Sequence, residues 1–134
     1  MIVVDTNVIA YLLIVGDHTA EAKEVLRKDS DWAVPFLWRS EFCSVLTLYI
    51  RQGHLSLNQA QRFMQEAEQL VQGGEYQVSS SQVLNLVTIS SCSAYDCEFV
   101  ALAQHLTVPL VTSDNKILSE FPSIAISLSQ FISR

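Results

Sequence analysis

The sequence predicts an α/β fold built on a parallel β-sheet. Short apolar runs alternate along the chain with longer segments whose apolar residues recur at helical spacing. No tandem β-hairpins are indicated, so successive strands are expected to run parallel with helices between them. The chain has 134 residues, the size of one ordinary domain, and we expect a single domain over residues 1–134.

The first half of the chain predicts two strands and four helices. Residues 2–4 form a short apolar run typical of a strand that is buried on both faces. A helix follows and stops at Gly16, and the segment HTAEAKEVLRKD predicts an exposed helix with Thr19 as its N-cap. The segment DWAVP predicts a second strand, and residues 36–51 predict a third helix that ends at Gly53.

The fourth helix is predicted in SLNQAQRFMQEAEQLVQGG and is amphipathic. Its apolar face consists of Ala60, Phe63, Met64, Ala67, Leu70 and Val71. The remaining predicted elements are a brief strand in YQVS, helices in SQVLNLVTIS and SAYDCEFVALAQHL, a strand at residues 108–111 and a last edge strand in SIAIS.

Composition excludes several classes of protein. Hydrophobic residues make up 49% of the chain and charged residues 16%, which permits a sizeable core and is unlike a disordered protein. The formal charge of −6 argues against a broad basic surface that grips nucleic acid. The three cysteines lack metal-site spacing and are expected to be reduced thiols that pack as small hydrophobes in a cytoplasmic protein. We expect neither a signal peptide nor a membrane span, because Asp5 interrupts the N-terminal apolar run and every other run is short.

Four acids interrupt or end these apolar segments. Asp5 follows the first strand and Asp114 follows the strand at residues 108–111, and open α/β sheets bind ligands at that edge. Glu41 and Asp96 lie on helices next to apolar stripes and are candidates for the same cleft. Structural alternatives remain open: the three aspartates occupy places where a side chain can cap a helix, whereas Glu41, predicted to be mid-helix, could instead pair with Arg39 or a lysine.

Carboxylates that converge without a histidine or cysteine partner favour Mg²⁺ or Mn²⁺. Such ions commonly serve phosphoryl chemistry, in which they activate water and neutralise charge on the leaving oxygen. The three histidines, His18, His54 and His105, lack the paired spacing of a zinc site, so a zinc site or a histidine-based nuclease is not indicated.

Three segments and the spacing between them resemble the PIN domain family, and especially the VapC-type toxins of toxin-antitoxin pairs. The segments are VVDTNVIAYLL, VPFLWRSEFCSVL and AYDCEFVALAQHLTVPLVTSD, and the resemblance covers essentially the whole chain. It implies a three-layer α/β/α fold with a central parallel sheet. It also implies a Mg²⁺- or Mn²⁺-dependent endoribonuclease that hydrolyses RNA phosphodiester bonds.

The same resemblance implies roles for individual residues. Asp5 would be the central metal ligand, Asp96 and Asp114 would share or flank one or two metals, and Glu41 would bind metal directly or through water. Carboxylates that converge in this way would repel one another without metal, which would raise the pKa of at least one of them. The residues implied to orient carboxylates or water are Thr6, Asn7, Thr112 and Ser113.

The expected partners are an RNA substrate, an antitoxin and a second copy of the chain. Few basic residues remain to hold RNA, and the candidates are Arg39, Arg51, Arg62 and Lys116. The resemblance implies an antitoxin that inserts a segment over the cleft. A homodimer is expected from the resemblance and from the apolar face of the helix at residues 60–71.

Two other functions compete with this interpretation. The first is a non-catalytic PIN-like module that binds RNA or protein, and the presence of all four acids argues against it. The second is a phosphatase with Asp5 as the nucleophile. That chemistry would require a second aspartate two positions later, where Asn7 stands.

Overall fold

The structure, a computed structural model, describes residues 1–134. Five parallel strands form one sheet that eight helices flank in a three-layer α/β/α arrangement. The predicted fold class is therefore confirmed. The strands are β1 (Ile2–Val4), β2 (Trp32–Pro35), β3 (Glu75–Tyr76), β4 (Leu110–Val111) and β5 (Ala125–Ile126). The helices are α1 (Thr6–Leu13), α2 (Thr19–Lys28), α3 (Trp38–Arg51), α4 (Leu57–Leu70), α5 (Ser80–Thr88), α6 (Ala94–Leu106), α7 (Asn115–Glu120) and α8 (Leu128–Ser133).

The strand order is β3-β2-β1-β4-β5. The first strand of the chain, β1, therefore lies at the centre of the sheet. Val3 of β1 pairs with Ala33 of β2 on one side and with Leu110 of β4 on the other. The chain therefore winds outward from β1 to β3 and then returns to the opposite side of β1. This reversal between β1 and β4 creates a crevice at the carboxyl ends of the two strands, where α/β proteins bind ligands.

The core lies on both faces of the central strands. All three residues of β1 are buried, and Trp32, Trp38 and Phe42 are the largest fully buried side chains. Helix α6 packs against β1, β2 and β4, which explains why apolar residues occur around most of its circumference. Cys92 and Cys97 are buried among these residues as predicted.

The cysteine prediction was wrong for Cys43, which is exposed on α3. Its neighbour Phe42 takes the inward position at that point of the helix. All three cysteines are free thiols, in agreement with the odd number and the spacing in the sequence.

A close backbone contact at Gly74 allows β3 to join the sheet. The Gly74 carbonyl oxygen accepts the N–H of Val34 at 2.8 Å, next to the short β2–β3 ladder. A Cβ atom at Gly74 would overlap the carbonyl oxygen of Trp32. Only glycine therefore fits where the chain leaves α4 and pairs with β2.

Helices α2 and α8 differ from the sequence prediction. Thr19 is the first residue of α2 and not its N-cap; its hydroxyl accepts the Gly16 N–H at 2.9 Å and donates to the Tyr11 carbonyl at 2.7 Å. These bonds fix the turn between α1 and α2. Helix α8 was not predicted, although Ser127 caps it by accepting the N–H of Gln130 at 3.2 Å.

The apolar face of α4 packs against the core of its own chain. Ala60, Ala67 and Val71 are buried, and Phe63 and Met64 are half-buried against the core. The face that motivated the homodimer is therefore partly used inside the chain, while Phe63, Met64 and Leu70 keep part of their surface exposed. None of the eight helices combines the length and the apolar composition that crossing a bilayer requires.

Candidate active site

A cleft of about 370 Å³ opens at the crevice beside β1 and β4, and all four predicted acids line it. They come from four different places: the ends of β1 and β4 and the first turns of α3 and α6. The full lining consists of Asp5, Thr6, Asn7, Glu41, Ser44, Val45, Asp96, Phe99, Asp114 and Ile117. The sequence did not single out Ser44, although it lies three residues after Glu41, a spacing that places both on one helix face.

Asp5 both caps a helix and faces the cleft. One carboxylate oxygen accepts the Val8 N–H at 3.2 Å, which makes Asp5 the N-cap of α1. The other oxygen accepts the hydroxyl of Thr112, and the residue is only 7% exposed. The capping alternative is therefore correct for Asp5, and capping α1 does not take its side chain out of the cleft.

Burial raises the pKa of Asp5 from its ordinary value of 3.8 to about 6. Hydrogen bonds from Thr112 and Val8 stabilise the charged form and limit this rise, while the negative charge of Asp114 adds to it. The raised pKa was expected from mutual repulsion of the acids. Removal of the carboxylate from water is instead the main cause.

Thr112 connects Asp5 with Asp114. Its side chain is fully buried; its hydroxyl donates to Asp5 and accepts the backbone N–H of Asp114 at 3.0 Å. Asp114 in turn caps α7 by accepting the N–H groups of Lys116 and Ile117. One hydroxyl thus sets the relative position of the two acids that follow β1 and β4.

Thr112→Val should lower the free energy of unfolding by about 2 kcal/mol, because valine fills the same space but leaves the buried Asp5 carboxylate and the half-buried Asp114 N–H without their partner. Thr112→Ser keeps the hydroxyl and should lose clearly less. Thr88→Val, at an exposed position on α5, is the control. Chemical denaturation measures all three, and an equal loss for Thr112→Val and Thr88→Val would contradict this role.

Glu41 lies in the first turn of α3 and not mid-helix, because residues 36 and 37 form a turn before the helix begins. Its carboxylate does not pair with Arg39 but accepts the Thr6 hydroxyl at 2.7 Å. Burial raises the pKa of Glu41, the Thr6 bond opposes this, and the charges of Asp96 and Glu98 add to it. Glu98, which sequence reasoning missed, is thus a further acid close enough to act on this site.

Asp96 enters the cleft without capping α6. The N-cap is Ser93, whose hydroxyl accepts the Asp96 N–H at 3.1 Å. The capping alternative for Asp96 is therefore wrong, and its carboxylate is left free to face the other acids. Ser113 does not line the cleft; its hydroxyl lies 3.1 Å from the hydroxyl of Tyr11 on α1.

Arg39 is held by acids outside the cleft. Its guanidinium forms two hydrogen bonds with Glu75, at 2.9 and 3.1 Å, and a further ion pair with Glu68. Trp38 also donates its indole N–H to Glu75 at 2.7 Å. Arg39 therefore ties α3 to α4 and β3, and two carboxylates compensate its charge.

Arg39→Met should lower the free energy of unfolding by about 1–2 kcal/mol, because Glu75, which is only 18% exposed, would lose its cation. Arg27→Met is the matched control, since Arg27 is 80% exposed and pairs only with Glu24 on the same helix. Equal effects of the two substitutions in denaturant titrations would show that the Arg39 pairs contribute no more than a surface ion pair.

The chemistry of the donor set fits Mg²⁺ or Mn²⁺. None of the four acids takes part in an ion pair, so a cluster of oxygen donors faces one cleft without a protein cation. No three acid, histidine or cysteine side chains are grouped closely enough to enclose an ion by themselves. Mg²⁺ keeps several waters and takes only one or two carboxylates directly, so it does not need three side chains within reach at once.

Three solved structures share the fold of this chain. PAE2754 from Pyrobaculum aerophilum has a TM-score of 0.78 at 19% identity, with 99% of this chain and 94% of that chain covered. FitAcB from Neisseria gonorrhoeae has a TM-score of 0.76 at 16% identity, with 96% and 99% covered. A toxin-antitoxin complex from Klebsiella pneumoniae has a TM-score of 0.67 at 17% identity, with 96% and 98% covered.

The family is identified by sequence. No curated protein matches the chain significantly. A sequence model of the PIN domain matches residues 2–123, a span that begins in β1 and includes all four acids of the cleft. PIN domains are generally nucleases, which supports a hydrolase. The chain belongs to the PIN domain family.

Proposed function

We propose that the chain is a divalent-metal-dependent endoribonuclease that acts as the toxin of a toxin-antitoxin pair. The observation that carries the proposal is the set of four carboxylates that line one cleft at the strand reversal without a cationic partner. If the four acids had only a structural role, their negative charges would repel one another in the cleft without a compensating cation. This repulsion would lower the stability of the fold. A bound cation would remove that cost.

In this proposal, Asp5, Asp96, Asp114 and Glu41 hold Mg²⁺ or Mn²⁺. When bound, the ion supplies an activated water and neutralises charge on the scissile phosphate. The hydrogen bonds of Asp5 to Thr112 and Val8 fix its carboxylate at the centre of the cleft. Asn7 lines the same cleft and offers an amide that can orient water or a phosphate oxygen.

The same kind of support holds Glu41. Thr6 donates to one of its oxygens, which leaves the second oxygen to bind the metal or a water on it. Ser113 orients the loop after β4 through its contact with Tyr11. Arg39 and Lys116 are the candidates for weak contacts with the RNA backbone. Lys116 forms no ion pair, whereas Arg39 is already paired with two acids.

The antitoxin part of the proposal is supported by the likeness in fold to the toxin-antitoxin complex from Klebsiella pneumoniae. An antitoxin segment that covers the cleft would meet uncompensated carboxylates, so an arginine in that segment would complement their charge. The toxin would act on cytoplasmic RNA. Isolation of active protein with no bound partner and no toxicity to its host would count against this part.

Incubation of the purified chain with varied structured RNAs, in Mg²⁺, in Mn²⁺ and in chelator, tests the proposal. Internal cleavage that requires a divalent ion is the expected result. Undiminished cleavage in excess chelator would exclude the metal mechanism. Binding of RNA without cleavage in any metal would favour the non-catalytic binding module.

A homodimer is part of the same proposal and follows from the resemblance to VapC-type toxins. The exposed side chains of Leu48 and Leu57, beside the α3–α4 turn, offer apolar surface outside the core. We expect sedimentation to show a dimer at tens of micromolar, about the concentration at which a modest interface forms. Only monomer at that concentration would contradict the dimer.

A further inference from the structure

A second cavity, of about 260 Å³, adjoins the acid cleft. It is formed by α1, the α1–α2 turn and α3, and the two cavities share Asn7 and Val45 as lining residues. The two cavities are therefore adjacent, with Asn7 and Val45 at their common border, and a strand bound in the acid cleft lies within reach of the second cavity. The function proposed above leaves this cavity unused.

Three aromatic rings line the second cavity: Tyr11, His18 and Tyr49. The rings of Tyr11 and His18 lie 4.5 Å apart with an angle of 33° between their planes. The His18 side chain is 57% exposed, so part of its ring remains accessible. Aromatic rings of this kind provide surfaces on which unpaired bases stack, whatever their sequence.

The cavity is held in shape before any ligand binds. The Thr19 hydroxyl fixes the α1–α2 turn to the carbonyl group of Tyr11, and the Tyr11 hydroxyl contacts Ser113 beside the acid cleft. Tyr11 and the turn that carries His18 are therefore linked to the loop after β4, which carries Thr112 and Asp114. Such preorganisation lowers the entropic cost of binding.

The charges of the two cavities favour a base over a phosphate as occupant. Neither cavity is lined by a lysine or an arginine, and the second is lined by Asp17. The chain as a whole carries a formal charge of −6. Binding through the phosphate backbone is consequently weak here, and stacking is the remaining source of affinity for a single strand.

We propose that the second cavity binds an unstacked base of the RNA strand, next to the phosphate that lies in the acid cleft. This inference rests on the proposed ribonuclease function. It assigns Tyr49 and His18 as base-contacting residues that contribute to the choice of cleavage position. The substrate is then single-stranded or unpaired at the cleaved bond, because a base within a duplex cannot enter the cavity.

Fluorescence anisotropy with a labelled, unstructured RNA of about 12 nucleotides tests the inference. An Asp5→Asn background keeps the RNA intact. In this background, Tyr49→Leu and His18→Leu should each weaken binding about ten-fold, whereas Tyr49→Phe should retain it. The controls Tyr76→Leu and His105→Leu, which line other cavities, should leave the affinity unchanged. Circular dichroism confirms that each variant is folded.

A second experiment separates stacking from a general loss of shape. The RNA is made with one abasic nucleotide, placed at each position in turn, and a single position should weaken binding to the parent protein. At that position the same change should have little effect on Tyr49→Leu, since the ring and the base act as a pair. Additive effects of the two changes at every position would overturn the inference.

Three further results of these experiments would each overturn the base-binding cavity, the proposed nuclease or both. Unchanged RNA affinity of both leucine variants, combined with loss of affinity for the antitoxin, would assign the cavity to a protein partner instead. Base-dependent RNA binding with no cleavage by the unsubstituted chain would overturn the proposed nuclease and leave the base-binding cavity standing. Absence of any RNA binding would overturn both.

Discussion

Asp5→Asn is expected to reduce RNA cleavage by about 1,000-fold, equivalent to about 4 kcal/mol of transition-state stabilisation. Asparagine has nearly the same shape and can still accept the Val8 N–H that caps α1. It cannot supply the negative charge that holds Mg²⁺ or Mn²⁺. The variant should therefore stay folded while it loses cleavage, and single-turnover assays with excess protein measure this loss directly.

Asp31→Asn is the matched control for this experiment. Asp31 is exposed and precedes β2, at the amino edge of the sheet, away from the cleft. Its substitution makes the same chemical change and should leave cleavage unaltered. Full activity of Asp5→Asn would remove Asp5 from the site, and equal losses in both variants would show that overall charge, rather than position, controls the rate.

The sheet edge that carries Asp5 and Asp114 could be predicted from sequence alone. Each acid follows a short apolar run, and the rule that parallel strands end at one edge brings them together. The order of the strands could not be predicted, yet it decides that β1 and β4 are neighbours. Glu41 and Asp96 were candidates for the same cleft because they lie beside apolar helical stripes, but helical periodicity gives a face and not the element that the face will meet, and only the family resemblance gave them roles there.

The errors have the same origin in contacts between distant parts of the chain. Helix α8 is short, and part of its support comes from Lys28, whose ammonium group donates to the Phe131 carbonyl at 2.6 Å across 103 positions of sequence. The apolar face of α4 was recognised, and its residues Phe63 and Met64 were expected either in the core or at an interface. Amphipathic periodicity predicts that a face is covered and does not say by what.

Asp5 also sets the pH dependence of stability expected for the metal-free protein. Its pKa is raised from 3.8 to about 6 in the folded state, mainly by burial. A group whose folded pKa is raised stabilises the fold below its unfolded pKa, and this contribution is lost as the pH rises through the folded pKa. The difference corresponds to about 3 kcal/mol, lost between about pH 4 and pH 7.

Asp5→Asn removes this titration and should make the metal-free protein more stable than the unsubstituted chain at pH 7.5. The advantage should vanish near pH 4, where the aspartate is protonated and resembles asparagine. Glu41, whose pKa is also raised, titrates in both proteins, so the difference between the two unfolding curves isolates Asp5. Urea denaturation in chelator, across this pH range, provides that difference.

Millimolar Mg²⁺ at pH 7.5 should reduce the difference in stability between the two proteins. The ion binds the folded chain through the ionised Asp5 carboxylate and stabilises it by mass action, whereas the asparagine variant loses that ligand. If the difference in stability between the two proteins does not change with pH in chelator, burial does not raise the pKa of Asp5. An equal gain from Mg²⁺ in both proteins would show that the ion binds elsewhere. The instability expected without metal and the activity proposed with it then have one physical source, because the burial that raises the pKa of Asp5 also keeps bulk water from competing for the ion.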